Sequence, residues 1–260
     1  MRTPMILPKP DPAFRWSQES WGSALRCVAL ESAAQHLFTS RQLQLPDDGA
    51  WRAALESLHA PPDRLMRVRQ VHGNSVRVIP RGHVGQGTSG QRPDADALVS
   101  NEPGLVLAVS VADCVPILVA DPNGAAAAIH AGWRGTCARV AAAAIDAMAT
   151  TFGTRPEDLV AAIGPSIGPE DYEVGMPVVD AFLGAGHARP DVERWFSRST
   201  PKPRLDLWTA NRDQLVAAGV RPDRILTAGL STLRHPEVFD SYRVEGERAG
   251  RMGALICVPG

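Results

Sequence analysis

Residues 105–136 hold three short apolar runs in quick succession, at 105–111, 115–120 and 125–129. Each is rich in Val, Ile, Leu or Ala and reads as a strand buried on both faces. Asp121-Pro122-Asn123-Gly124, between the second and third, is a strong turn signal. Into this apolar stretch the chain sets Asp113 and Cys114 between the first two runs, and His130 at the end of the third. A buried carboxylate is costly unless it is paired, so these polar residues need a reason. Gly132 and Gly135 bracket Trp133 and Arg134, and a helical pattern follows. A glycine-rich turn lets backbone approach a ligand, and a helix start favours anions.

Along the rest of the chain the pattern mixes hairpins with strand–helix–strand steps. Residues 1–22 carry Pro4, Pro8, Pro10 and Pro12 and read as an irregular lead-in, leaving 23–260 as one catalytic domain. Asp48 is placed to cap a helix with Trp51, Leu55 and Leu58 on one face. The stretch 65–71 alternates apolar and basic residues, which predicts a strand with Arg67 and Arg69 on a solvated face. Strands are also expected at 76–79, 97–99, 159–163, 225–228 and 254–258. Val140, Ala141, Ala144, Ile145, Met148 and Phe152 recur at helical spacing, with Gly153 as the stop. A further helix is expected from about Pro177, and another capped by Thr209 and ended by Gly219. Residues 186–204 read as irregular. Together this predicts an α/β or α+β sheet architecture rather than a purely parallel sheet.

A formal net charge of −1 over 260 residues argues against a general nucleic-acid binder, whose affinity would rest on a basic surface. The four cysteines, Cys27, Cys114, Cys137 and Cys257, lie far apart and form no C-x-x-C pair. That suits a reducing compartment and free thiols. No apolar h-region opens the chain, and no apolar stretch reaches the roughly 20 residues of a membrane span. The expectation is a cytoplasmic protein without nucleic-acid, membrane or protein partners.

His72, Cys114 and His130 are the polar residues at strand ends in apolar context. Two imidazoles and a thiolate suit zinc, and three protein ligands leave a tetrahedral ion one open position. Taken singly, each is also an ordinary core or hydrogen-bonded residue. The same residues permit a metal-free reading, with Cys114 as nucleophile and either histidine as its base. Asp113 could orient a histidine, act as acid or base, or cap a turn. Arg134 could hold an anion at the helix start. His36, His59, His83, His187 and His235 sit in polar or loop segments and are given no role.

The chain also resembles a known family. Gln-Val-His-Gly at 70–73, Asp-Ala-Leu-Val at 96–99, Ala-Asp-Cys-Val-Pro at 112–116, His-Ala-Gly-Trp-Arg-Gly-Thr at 130–136 and Gly-Pro-Ser-Ile-Gly followed by Tyr-Glu-Val-Gly within 164–175 are similar to the YfiH-like family. Its members are variously called laccase-domain or polyphenol oxidoreductase proteins, peptidoglycan editing factors and purine nucleoside phosphorylases. The resemblance implies a four-layer α/β/β/α sandwich built from a repeated β-α-β-β unit. It implies zinc held by His72, Cys114 and His130. The implied activity is phosphorolysis of purine nucleosides (adenosine, inosine, guanosine and methylthioadenosine), with adenosine deamination as a second reaction. Cys114, Asp113 and Arg134 are the expected catalytic residues, with Arg243 or Arg69 as further sources of positive charge. The alternatives are a Cys- or zinc-dependent amidase that edits peptidoglycan precursors, and a copper-dependent polyphenol oxidase. Copper is less favoured, because one His2Cys site does not supply the several coppers and many histidines of oxygen reduction. The chain departs from the family pattern in its N-terminal third, at Ser231-Thr232 where the family has Cys-Thr, and around residues 238–243.

Overall fold

The computed structural model describes residues 6–43, 45, 48–87, 90–197 and 201–260. Fourteen strands and eight α-helices are assigned among them. The first part runs β1 Phe14–Glu19, β2 Gly22–Cys27, α1 Val28–Glu31, β3 His36–Thr39, α2 Asp48–Glu56, β4 Leu65–Arg67 and β5 Val76–Ile79. The middle runs β6 Ala97–Ser100, β7 Val106–Val111, β8 Val115–Asp121, β9 Ala125–Ala131, α3 Trp133–Cys137, α4 Val140–Phe152 and β10 Val160–Ile163. The last part runs α5 Met176–Gly184, α6 Arg189–Trp195, β11 Phe196–Ser197, β12 Arg204–Leu205, α7 Leu207–Ala217, β13 Ile225–Thr227, α8 Tyr242–Glu245 and β14 Met252–Cys257.

Two six-stranded mixed sheets carry the fold, in the orders β1-β2-β3-β14-β7-β4 and β13-β10-β8-β9-β6-β5. Alternation along each central strand explains why they read as continuous apolar runs. In β7, Leu107 and Val109 join a core with Leu118 and Ala128 of the other sheet, while Val106 and Ala108 pack with Trp51 and Leu55 of α2. In β8, Val115, Ile117 and Val119 turn the other way, to a core with Val140, Ala144 and Met148 of α4 and Phe182 of α5. Each strand therefore buries both faces, so neither face can be polar.

The β8–β9 hairpin turns where the sequence predicts. Asp121 Oδ1 accepts from the backbone N–H of Asn123 at 2.8 Å, and Gly124 takes φ 107°. The resulting register sets Pro116 opposite His130 and Val115 opposite Ala131. On the other side of β9, Ala97 pairs with Ile129. Cys114, Asp96 and His130 are thus brought to one end of the sheet.

Several local expectations need correction. Residues 14–19 of the supposed irregular lead-in form β1, because Phe14 is buried and the strand pairs with β2 over its whole length. The strand at 65–71 is only three residues long and buried throughout. Arg67 is not solvated: its guanidinium lies 4.6 Å from the Trp51 ring centre, and its aliphatic stem packs inside. Arg69 is exposed and pairs with Asp94. Within the stretch read as irregular, residues 189–197 form α6 and β11, since Val192 and Trp195 anchor the helix in the core. Asp206, not Thr209, caps α7, accepting from the Thr209 N–H at 2.9 Å and its hydroxyl at 2.6 Å. Asp48 lies within the first turn of α2. His36 is fully buried in β3, with Nε2 accepting from the Cys27 N–H at 2.8 Å. The helix expected after Gly135 is broken in two, because Arg139 adopts φ 62° and separates α3 from α4.

Candidate metal centre

The nitrogen and sulfur donor atoms of His72, Cys114 and His130 lie within 4.8 Å of one another. The two imidazoles meet edge to face, with centres 4.9 Å apart. His130 comes from the end of β9, Cys114 from the step into β8, and His72 from the segment between β4 and β5. Two of these positions involve strained backbone: His72 has φ 59° and Asp113, beside Cys114, has φ 80°. Left-handed backbone is uncommon outside glycine, and its clustering at one place marks a site whose surroundings hold it there.

Asp96 organises the cluster, and the sequence reading assigned it no role. Its carboxylate is fully buried at the start of β6. It accepts from the backbone N–H groups of His72 and Gly73 at 2.9 and 2.6 Å, and sits 2.9 Å from His130 Nδ1. A carboxylate on Nδ1 keeps the proton there and leaves Nε2 as the lone-pair donor. Burial opposes the Asp96 charge, but His130 and the two amides outweigh it and hold the carboxyl below its usual range. The available signal was an acid just before an apolar strand, which is also where turns commonly place one.

Cys114 is prepared as a thiolate. Burial works against ionisation, yet hydrogen bonds and charge from His130 and His72 prevail and bring the thiol below its ordinary range. Burial likewise disfavours protonated His130, and Asp96 and Cys114 reverse it and hold the imidazole above its usual value. Gly132 leaves room for the sulfur: a Cβ there would stand 2.7 Å from Cys114 Sγ and 3.5 Å from His72 Cδ2. Two imidazoles, a thiol whose ionisation the two rings favour, and a carboxylate behind one ring make a donor set that fits a zinc-type ion.

The other expected residues fall nearby but in different parts. Arg134 is exposed, with its guanidinium 4.3 Å from the ring centre of its neighbour Trp133. Asp113 touches neither histidine. Its carboxylate accepts from Thr232, Ser241 and the Arg243 N–H, so Asp96 holds the orienting position expected of Asp113. A cavity of about 410 Å3 is walled by Trp133, Tyr172, Met176, Pro203 and Arg243, with Trp133 three residues beyond His130 in the chain. Burial pushes the Tyr172 hydroxyl up to about 12, with the negative charge of Cys114 adding to it. A larger cavity of about 540 Å3, between α6 and α7, is, like the first, lined by none of His72, Cys114 and His130.

Fold and site together define a mixed α/β protein with a His–Cys–His cluster that could hold a metal ion at the end of a central sheet. The family described as multi-copper polyphenol oxidoreductase laccase matches residues 49–259, and the chain belongs to it. A purine nucleoside phosphorylase of Bacteroides thetaiotaomicron is 39% identical over 209 residues, covering 78% of this chain and 77% of that protein. Adenosine deaminase RL5, from an unknown prokaryotic organism, is 38% identical over 73% of each chain. The crystal structure of YlmD from Geobacillus stearothermophilus superposes with a TM-score of 0.84 at 31% identity, over 94% of this chain and 99% of that one.

Proposed function

We propose that this chain is a zinc-dependent purine nucleoside phosphorylase with adenosine deamination as a second reaction. The observation that carries the reading is the convergence of the donor atoms of His72, Cys114 and His130 within 4.8 Å of one another. The relatives named phosphorylase and deaminase support the same substrate class. Zinc, when bound, would be held by His72, Cys114 and His130 and would supply Lewis acidity.

The chain's own groups do the rest. Asp96 keeps the proton on His130 Nδ1 and fixes the ring. Trp133 and Tyr172 offer faces on which a flat heterocycle can rest, which suits a purine base. Arg134 and Arg243 supply positive charge for phosphate and for the charge that develops as the glycosidic bond breaks. Asp113 is surrounded by three donors, and no proton transfer is assigned to it. The four cysteines are free, and among the described residues no helix is long and apolar enough to cross a membrane. A reducing, cytoplasmic setting is part of the proposal.

Product analysis by chromatography tests it. Zinc-loaded protein given adenosine should release adenine and ribose 1-phosphate only when phosphate is present, and inosine without it. Cys114→Ala should abolish both along with zinc content. Active-site zinc with neither product would overturn the purine reading and favour amidase chemistry.

A further inference from the structure

Asp113 and Arg243 are joined in a way that separates the site's two exposed arginines. Asp113 follows β7 directly before Cys114, with φ 80°, so its carboxylate is rigidly related to the metal ligands. Oδ1 accepts from Thr232 Oγ1 at 2.6 Å. Oδ2 accepts from Ser241 Oγ at 3.1 Å and from the Arg243 N–H at 2.7 Å. The Asp113 carbonyl accepts from Ile167 N–H at 2.9 Å. Segments distant in sequence are thereby pinned beside Cys114, among them the start of α8.

Arg243 is held at its far end as well. Its Nη2 donates to the Glu173 carbonyl at 2.8 Å, and its guanidinium carbon lies 5.9 Å from the Tyr172 ring centre, on the cavity wall. A guanidinium has five N–H donors, and the others on Arg243 have no partner among the described residues. Arg134 differs: it rests on its own neighbour Trp133, has no hydrogen bond to fix it among the described residues, and does not line the cavity. A cation already held in place gives up less freedom when an oxyanion binds.

We propose that Arg243 is the phosphate-binding cation of this site and that Asp113 is its positioning residue, holding the Ser241–Arg243 backbone at a set place relative to Cys114. The proposal rests on the phosphorylase reading for its role in turnover, but the anion site can be measured without it. A carboxylate near a phosphate site would by itself repel the anion. The three donors on Asp113 offset that charge, and an asparagine there could not accept from all three.

The test uses zinc-loaded full-length protein and inorganic phosphate, read by calorimetric titration and by phosphate KM. Arg243→Gln should weaken phosphate binding about tenfold or more, since it removes a charged donor. Zinc content and nucleoside KM should stay within about twofold, and Arg243→Lys should recover part of the loss. Asp113→Asn should raise phosphate KM in the parent protein, yet add nothing in the Arg243→Gln background, whereas a merely structural role would give additive losses. If Asp113→Asn does not fold, Ser241→Ala removes a single donor from the same carboxylate. It should shift phosphate affinity in the same direction, again only when Arg243 is present. Unchanged phosphate affinity in Arg243→Gln, tighter binding in Asp113→Asn, additive effects, or a parent protein that binds no phosphate would each overturn the proposal. Phosphate binding that depends on both residues, in a protein that performs no phosphorolysis, would uphold the anion site and sink the phosphorylase reading.

Discussion

Asp96 shows how one side chain can set a candidate metal centre without belonging to its donor set. Its oxygens take two backbone amides of the His72–Gly73 turn and one imidazole nitrogen of His130, so it aligns two of the three ligands at once. Asparagine at this position keeps the shape but loses the charge and replaces one acceptor with a donor. Partners of this kind are typically worth 10- to 100-fold in metal affinity, so Asp96→Asn should weaken zinc binding by about that factor. Competition with a chelator of known affinity measures it, and an unchanged zinc constant would remove Asp96 from this role. Gly132 acts at the same scale through what it lacks, because any Cβ there would meet the Cys114 sulfur.

Helix α7 is the element through which the outer packing reaches the site. Asn211 Nδ2 donates to Thr136 Oγ1 at 3.0 Å, and Gln214 Nε2 to the Thr136 carbonyl at 2.8 Å. Both bonds fasten α3, which begins two residues beyond the strand that ends in His130 and Ala131. α7 in turn starts on the double Asp206 cap. Asp206→Ala should cost about 1 kcal/mol, the usual worth of such a cap, and lower Tm by about 2–4 °C in a chain of this size. Zinc content should be retained, because α7 supplies no ligand. A thermal melt and metal analysis on one sample check both, and an unshifted Tm would show that the cap contributes nothing. The sequence reading placed the cap on Thr209, whose N–H and hydroxyl both donate to the Asp206 carboxylate. A ladder of two residues, Arg204–Leu205, is too short to recognise by period.

At the scale of the whole molecule, the two sheets meet over a dry core, and a histidine lies at its margin. Burial, with Arg26 adding to it, lowers His36 to about 4, against the Ala34 carbonyl, which favours the protonated ring. Its Nδ1 faces that carbonyl at 3.1 Å, and Nε2 takes the Cys27 amide, which requires a neutral ring. The unfolded chain binds this proton near 6.5, so it holds more protons than the native state between that value and about 4. Stability from this group is therefore complete above about pH 6.5 and falls away as the pH drops toward 4. The full loss is on the order of 3 kcal/mol. His36→Gln should flatten the Tm–pH curve in that window while lowering Tm at neutral pH. Melts from pH 7 to 4 test this, and an equally steep curve in the variant would assign the acid sensitivity elsewhere.

The grouping of His72, Cys114 and His130 was legible because apolar strands tolerate so few polar residues that all three stood out at strand ends, and the resemblance of the surrounding motifs pointed to the same trio. The central strands, the α4 stop at Gly153 and the turn at Gly124 were equally plain, since local backbone and burial rules act within a few residues. Asp96, the burial of Arg67 and the hold of Asp113 on Arg243 were not. Each depends on a partner far away in the chain: 34 residues separate Asp96 from His130, and 130 separate Asp113 from Arg243. Strand register and the meeting of two sheets bring such pairs together, and neither is written in the neighbourhood of either residue. Periodicity records which side of a strand is buried; what it is buried against is a property of the packed molecule.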